Sequence, residues 1–397
     1  MAPDGSKLDE NSADDEAVPV TSVAMKLLDM RLKPSSAIVT SVAGEFTAPG
    51  KHEFVIARTG GTIELHRILQ TSGGNKMTND DDEEDDEEER TVIKLIARVE
   101  TRSILRSLAT IRLTGDKRDV VAVGADGGAL TVLDFEDGVC KIIHSCTFGK
   151  TGCRRSTPGQ YVASDPKGRA VMIAAIEKRK LVYVLNRDAT GKPTIASPLE
   201  AHRTRTITFD TVGLDNGYDN PIFATLELQY KEVEDMSHTK DGHDESIEKQ
   251  LAYYELDLGL NHVSRRWATT AQRTACCLAA VPGGADGPGG VLCGGEDWIE
   301  YFHENLPHDS TMTDAKAPTL TRVVAAIPRR TLHPADKGIL VTKITVHRQK
   351  KSKFFALAQS ELGDVYKVTL QLDPADKTKV VGITVRSEEH TSELQSR

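Results

Sequence analysis

The sequence predicts an all-β protein built as a β-propeller, and three observations carry that expectation. The first is a hairpin figure at Asp119 to Phe135, DVVAVGADGGALTVLDF, in which two apolar runs flank Asp126-Gly127-Gly128. Asp-Gly and Gly-Gly supply the positive φ that a tight antiparallel turn requires. The second is recurrence, because a lone hairpin buries too little to be stable and needs neighbours. The figure returns at His52 to Ile68, Arg169 to Arg187, Gly289 to Phe302 and Lys353 to Leu370. A sixth copy, Pro221 to Leu258, has an expanded turn. The third is the character of the apolar runs. AVMIAAI (Ala170 to Ile176) does not alternate, as expected of strands buried on both faces, and no run reads as an amphipathic helix longer than three turns.

The elements follow in order. Met1 to Ala17 is polar and acidic and reads as a disordered terminus, residues 1–17. The propeller domain is assigned to residues 18–385, with its first blade beginning near Thr21. Turns fall near Gly60, Gly127, Lys178, Lys240, Glu296 and Leu362, about 60 residues apart on average, against roughly 40–50 for common propeller repeats. Strand-like pieces between the hairpins, such as Ser103 to Leu113 and Leu320 to Ile327, bring each repeat to about four strands, one propeller blade. A stack of unrelated β-sandwiches is the alternative architecture. Two polar inserts interrupt the pattern at 72–90 and 233–249, both placed at loop positions that tolerate insertion. The Gly283 to Gly290 segment, GGADGPGG, reads as a blade connection. RSEEHTSELQSR, residues 386–397, breaks the strand pattern and resembles a non-native tail.

The net charge of −9 is local. Asp80 to Glu89 is an unbroken run of ten acids, and without it the chain carries about +1. A broad basic field of the kind that holds phosphate backbones is therefore not expected. The acid run reads as a solvated loop, with docking to a basic partner as its functional alternative. Six cysteines show no paired CxxC spacing and read as small buried thiols of a reducing compartment. The start lacks a secretory signal, and no apolar run approaches the ~20 residues of a membrane span, so a soluble intracellular protein is expected.

Candidate chemistry is sparse. Phe148-Gly149-Lys150-Thr151 suggests a phosphate loop, but the glycine required five residues before Gly-Lys is His144. No HExxH, paired zinc spacing or GxSxG occurs, and aspartates such as Asp126 and Asp364 sit where turns are capped. No catalytic, cofactor or metal residues are assigned. Arg154-Arg155 and the tip Lys178-Arg179-Lys180 are the best basic clusters. They read as solvated tips, with Arg154, Arg155, Lys178 and Arg179 as the candidate partner contacts.

From Thr147 to Asp188, TFGKTGCRRSTPGQYVASDPKGRAVMIAAIEKRKLVYVLNRD resembles the amino-terminal part of the splicing factor 3b subunit 3 family. SPLEAH (Ser197 to His202), YYELDLGLNHV (Tyr253 to Val263), VPGGADGPGGVL (Val281 to Leu292) and LAQSELGDVYKVTL (Leu357 to Leu370) fit the same family. The resemblance runs from about Val20 to Val385 and is strongest from Thr147 to Leu292. Related families are the large subunits of the cleavage and polyadenylation specificity factor and of the damage-specific DNA-binding protein. The resemblance implies a scaffold of three linked propellers, of which this chain is the first, with seven blades. It implies a nuclear role in the U2 small nuclear ribonucleoprotein. The implied contacts are with the HEAT-repeat subunit and other subunits of splicing factor 3b, with RNA associated indirectly. No membrane, cofactor or small-molecule substrate is implied. The alternatives are a propeller hydrolase or lyase, and a nucleic-acid-binding scaffold of the polyadenylation or ubiquitin-ligase type. Three departures stand out: an acidic stretch (Asp80 to Glu89) longer than the family link, a divergent Asp297 to Ala326, and an ending after one propeller's worth of sequence, without the second and third propellers and with the first expected to continue about one more blade beyond Val385. An incomplete propeller is therefore expected.

Overall fold

The computed structural model describes residues 37–72, 89–101, 103–147, 155–189, 193–215, 217, 219–230, 248–305, 319–329, 337–349 and 353–387. The chain divides into two units, Met1–Pro34 and Ser35–Arg397, and the first lies outside the described residues. So do Arg154, the Phe148 to Thr151 segment and most of the acid run.

Six antiparallel sheets follow one another along the second unit. Blade 1 is β1 (Ile38–Gly44), β2 (Glu53–Arg58), β3 (Thr62–Ser72) and β4 (Glu89–Glu100). Blade 2 is β5 (Leu105–Ile111), β6 (Val120–Ala125), β7 (Ala129–Glu136) and β8 (Val139–Thr147). Blade 3 is β9 (Tyr161–Ser164), β10 (Ala170–Ala174) and β11 (Lys180–Arg187), with an outer edge split into β12 (Pro193–Ile195) and β13 (Leu199–Glu200). Blade 4 is β14 (Thr206–Leu214), β15 (Ile222–Gln229), β16 (Lys249–Asp257) and β17 (His262–Ala271). Blade 5 is β18 (Cys277–Ala280), β19 (Val291–Gly294), β20 (Trp298–Asn305) and β21 (Thr319–Ala326). Blade 6 is β22 (Val341–Arg348), β23 (Phe354–Ser360), β24 (Val365–Leu372) and β25 (Val380–Ser387). The fold is an all-β, six-bladed propeller, and every hairpin read from the sequence is the middle strand pair of a blade.

The turns have a local cause. Gly60 and Gly61 at the first tip have φ of 89° and 88°, open to glycine without a side-chain clash. Lys178 and Asp297 occupy the same left-handed region at the third and fifth tips, with φ of 64° and 67°.

Apolar runs fail to alternate because successive residues pack into different seams. Tyr254 joins Met172, Val182 and Phe223 between blades 3 and 4, whereas its neighbour Tyr253 joins Leu226 and Phe302 between blades 4 and 5. Tyr301 points the other way from Phe302 and packs with Val341 and Tyr366 between blades 5 and 6. The remaining cores are Val55, Leu65, Val121 and Phe135 between blades 1 and 2, and Ile111, Val132, Val171 and Tyr183 between blades 2 and 3. Burying one such large side chain contributes about 1.5–3 kcal/mol.

The first strands are also latched to one another. Thr110 Oγ1 donates to Ala43 O at 3.0 Å, and Ser164 Oγ to Thr110 O at 2.8 Å. The Thr208 N–H of blade 4 donates instead to Ile176 O in the hairpin turn of blade 3, at 2.7 Å, and the Leu278 N–H of blade 5 donates to Asp210 Oδ2 in the first strand of blade 4, at 2.8 Å. A register shift between Thr208 and Asp210 turns that carboxylate toward blade 5. Backbones meet closely at the opposite rim, where a Cβ added to Gly168, Gly213 or Gly283 would lie 1.7, 2.0 or 1.5 Å from a carbonyl oxygen of the preceding blade.

Five seams thus join six blades. Among the described residues no hydrophobic core joins blade 6 to blade 1, and the seventh blade implied by the resemblance has no counterpart. The face of blade 1 turned away from blade 2 carries Phe54 stacked on His66 at 5.3 Å, and Glu64 bound by Arg58 at 2.7 Å and His66 at 3.1 Å. The face of blade 6 turned away from blade 5 carries Phe355 between His347 at 5.1 Å and the Lys367 ammonium at 4.8 Å.

Four boundaries move. β25 continues through Arg386 and Ser387, which pair with Lys367 and Tyr366, so the strand outlasts the 385 limit by two residues. Lys249, placed at the end of the second insert, is a strand residue whose Nζ donates to Ala275 O at 2.6 Å. Gly283 to Gly290 joins two strands of one blade rather than two blades, and Tyr301 Oη donates to Gly289 O at 2.9 Å to hold it. At the first insert, Ser72 pairs with Glu89, so the ladder reaches both ends of 73–88. Replacing 73–88 with a two-residue turn therefore shortens a loop across an existing ladder, and each halving of loop length is worth only about 0.6 kcal/mol. Thermal melting should shift by no more than a few degrees, and a loss of cooperative β-sheet signal would show that the insert packs into the blade.

Candidate partner-binding surface

Antiparallel blades place the turn between their second and third strands on the same rim as the link into the next blade. Hydrogen bonds confirm the placement. Thr101 N–H donates to Gly61 O at 2.8 Å, Glu177 N–H to Arg155 O at 2.9 Å, and Asp297 N–H to Ile339 O at 2.8 Å. On this hairpin rim Arg155, Lys178 and Arg179 come together where blade 3 meets its neighbours, and all three are exposed.

Glu177 organises the group. Its carboxylate receives the Tyr230 hydroxyl and the Arg155 guanidinium, and these hydrogen bonds, Tyr230's first, hold it below its ordinary range against the smaller effect of burial. The left-handed Lys178 is fixed on both sides, its N–H donating to Thr206 O at 2.8 Å and its carbonyl accepting the Arg203 N–H at 3.4 Å. Arg203 and Arg205 extend the basic arc along the link to blade 4. A shallow cleft of about 400 Å³ lies beside it, lined by Pro158, Lys178, Arg179, Leu181, Pro198, Glu200 and His202.

Lys180 does not belong to the solvated tip expected from Lys178-Arg179-Lys180. Strand alternation turns it inward, where it is 0% exposed and its Nζ lies 2.9 Å from Glu227 Oε1 in blade 4. The same oxygen accepts Tyr254 Oη at 2.8 Å and Thr225 Oγ1 at 2.9 Å, and Arg265 Nε lies 3.8 Å from Oε2. Burial and the neighbouring Glu227 push the Tyr254 phenol well above its ordinary value. The basic arc thus rests on a buried ionic tie between blades 3 and 4.

Sequence reasoning missed Arg203, Arg205 and the tie. His202-Arg-Thr-Arg-Thr206 was the available signal for the arginines, but Glu227 is remote from Lys180 in sequence and only the blade packing joins them. Among the described residues, no group of three or more His, Cys, Asp or Glu is placed to hold a metal ion. The half-buried Asp210, its carboxyl pushed up by desolvation, spends both carboxylate oxygens on backbone N–H groups of Thr211 and Leu278, each at 2.8 Å. It closes a seam. The turn residue Asp126 is bound by Arg106, at 2.6 Å from Nε.

Two stability predictions follow from these buried charges. Leaving a buried charge unpaired costs about 3–5 kcal/mol, so Lys180→Met should lower the chemical-denaturation stability by that amount, and Lys180→Met with Glu227→Gln should recover most of it. Glu304, 0% exposed in β20, has its carboxyl pushed by burial from 4.5 to about 7, with Arg266 opposing. Between those values the folded chain keeps a proton that the unfolded chain has lost, so this group's contribution weakens as pH rises through the window. Glu304→Gln should melt like the parent at about pH 4 and higher than the parent at about pH 8. Equal melting at both would place the titration elsewhere.

Comparison with known proteins matches this architecture. Residues 37–393 match the family described as RSE1/DDB1/CPSF1 first beta-propeller. Spliceosome-associated protein 130 A of Arabidopsis thaliana is 45% identical over 348 residues, covering 87% of this chain and 26% of that protein. Splicing factor 3B subunit 3 of Drosophila melanogaster is 38% identical over 353 residues, covering 88% and 26%. Pre-mRNA-splicing factor prp12 of Schizosaccharomyces pombe is 45% identical over 273 residues, covering 68% and 22%. The chain spans about a quarter of the length of these relatives. By fold, matched span and identity, it belongs to the RSE1/DDB1/CPSF1 first-propeller family.

Proposed function

We propose that the chain is the first-propeller part of a non-catalytic scaffold that acts in pre-mRNA splicing within a nuclear splicing factor 3b assembly. The observation that carries this reading is identity of 38–45% to relatives named as splicing factors, over most of the chain. The structure supports it with a bladed fold that presents Arg155, Lys178, Arg179 and Arg205 as exposed cations on the hairpin rim. Its expected partners are the HEAT-repeat subunit and other splicing factor 3b subunits, with RNA reached through them. Arg155, Lys178 and Arg179 are the proposed contacts, and Arg154 joins them by sequence. Aliphatic stems and exposed charged heads suit them to acidic or carbonyl-rich protein surfaces.

Affinity capture of the tagged full-length protein from nuclear extract tests the assembly, and recovery without splicing factor 3b subunits would overturn it. Changing Arg155, Lys178 and Arg179 together to Ala tests the surface. Exposed ion pairs contribute about 0.2–1 kcal/mol each, so association with at least one subunit should weaken by about tenfold while melting hardly moves. Undiminished co-purification of every subunit would return these residues to simple solvation.

A further inference from the structure

Blade 5 begins with two adjacent cysteines whose thiols both reach across the seam to blade 6. Cys276 Sγ donates to Val341 O at 2.9 Å, and Cys277 Sγ lies 3.6 Å from the same oxygen. Neighbouring side chains in a regular strand diverge to opposite faces. Here Cys276 precedes β18, and the two thiols converge on one carbonyl oxygen. Cys276 is half-buried, whereas Cys277 is buried. Blade 4 adds the Lys249 ammonium, 2.6 Å from Ala275 O and 3.9 Å from the Phe209 ring centre, and the half-buried Asp210 carboxyl. Lys343 of blade 6 faces that carboxyl, and the buried Cys293 completes the surroundings.

The two thiols differ in character. The neighbouring Cys277 thiol and then the charge of Lys249 hold Cys276 below the ordinary thiol value, with burial and Asp210 opposing. Cys277 is pushed far up by its neighbour Cys276 and by burial. A half-exposed thiol beside a cation is the setting in which thiolate chemistry is favoured. Direct oxidation of the pair is disfavoured, because adjacent Cα atoms lie ~3.8 Å apart and disulfides span ~4.4–6.8 Å. A bridging atom removes that conflict, since thiolate bonds to a soft ion are ~2.3 Å and let the sulfurs stand apart.

We propose that Cys276 and Cys277 form a two-thiol site for soft ions and trivalent metalloids, and that its occupation opens the seam between blades 5 and 6. With an organoarsenic(III) oxide, each sulfur forms one bond to arsenic. The two thiol protons leave with the oxide oxygen as water, and no electrons change hands. Val341 O then loses both thiol donors. Blade 6 is sensitive to that loss, since no core covers its other face among the described residues. The other described cysteines offer no second pair. Cys140 packs toward blade 1, Cys146 lies beside Tyr183 of blade 3, and Cys293 is fully buried.

The test is phenylarsine oxide added to the intact 397-residue chain, read by intact mass, cysteine mapping and amide hydrogen exchange. One equivalent should bind, survive excess glutathione and leave with dithiothreitol. It should protect Cys276 of the unaltered chain from iodoacetamide, and the adduct should map to the peptide that carries Cys276 and Cys277, so the site is located without any variant. Cys276→Ser and Cys277→Ser should each abolish the glutathione-resistant adduct. Exchange in β22 to β25 should quicken by about tenfold on binding, as for local opening of one unit. No adduct, an adduct protecting other cysteines, or one removed by glutathione would overturn the site. A bound arsenical with unchanged exchange in blade 6 would overturn the opening.

Discussion

Tyr253 and Tyr254 are neighbours in one strand yet pack into different seams, and this two-sided burial is the constraint on which the rest of the structure depends. A blade has two apolar faces and so needs two neighbours. Each seam therefore serves as the core of two blades at once. The latches between first strands contribute less individually, about 0.5–1.5 kcal/mol for a neutral hydrogen bond, but they fix which residues meet across a seam. Thr110, Ser164 and Asp210 each spend a polar side chain on a neighbouring blade's backbone, which explains polar residues in strands that are otherwise closely packed.

That constraint also separates what was legible in the sequence from what was not. The hairpins were legible because turn chemistry is local: Gly60-Gly61 and Asp126-Gly127-Gly128 specify their turns without distant help. Strand content was legible for the same reason. Insert limits were off by one or two residues, because polar Ser72 and Glu89 still pair across the ladder and only the partner strand reveals it. Lys180 was misread as part of a solvated tip because three consecutive cations look alike in sequence, while alternation at the strand's first residue separates the third from the other two. The shared acceptor of Cys276 and Cys277 lies 65 residues from Cys276, beyond the reach of any local pattern.

The candidate surface gains its rigidity from beneath. Arg155, Lys178 and Arg179 are long side chains that would spend considerable conformational entropy on being held still. Their backbone is already fixed, by Thr206 and Arg203 around Lys178, and by the Lys180–Glu227 tie one residue further along. A partner thus meets charges whose anchor points are preset and need only order the side chains. A surface of this kind suits recognition by position more than by sheer charge, in keeping with a folded part that is nearly neutral.

The glycine contacts of the opposite rim have a mechanical meaning. At Gly168, Gly213 and Gly283 backbone rests on backbone with no side chain between, so three successive joints are shut at that edge and cannot be compressed further. The hairpin rim has close backbone approaches of its own, where a Cβ added to Gly61 would lie 2.4 Å from Ser103 O and one added to Gly159 would lie 2.3 Å from Ala125 O. The joint between blades 2 and 3 is thus closed by backbone at both edges, by Gly168 on one and Gly159 on the other, and neither edge has room for added side-chain volume. Arg155 stands four residues from Gly159 in the link that makes this contact, so a partner bound there presses on a joint already shut rather than on a yielding edge.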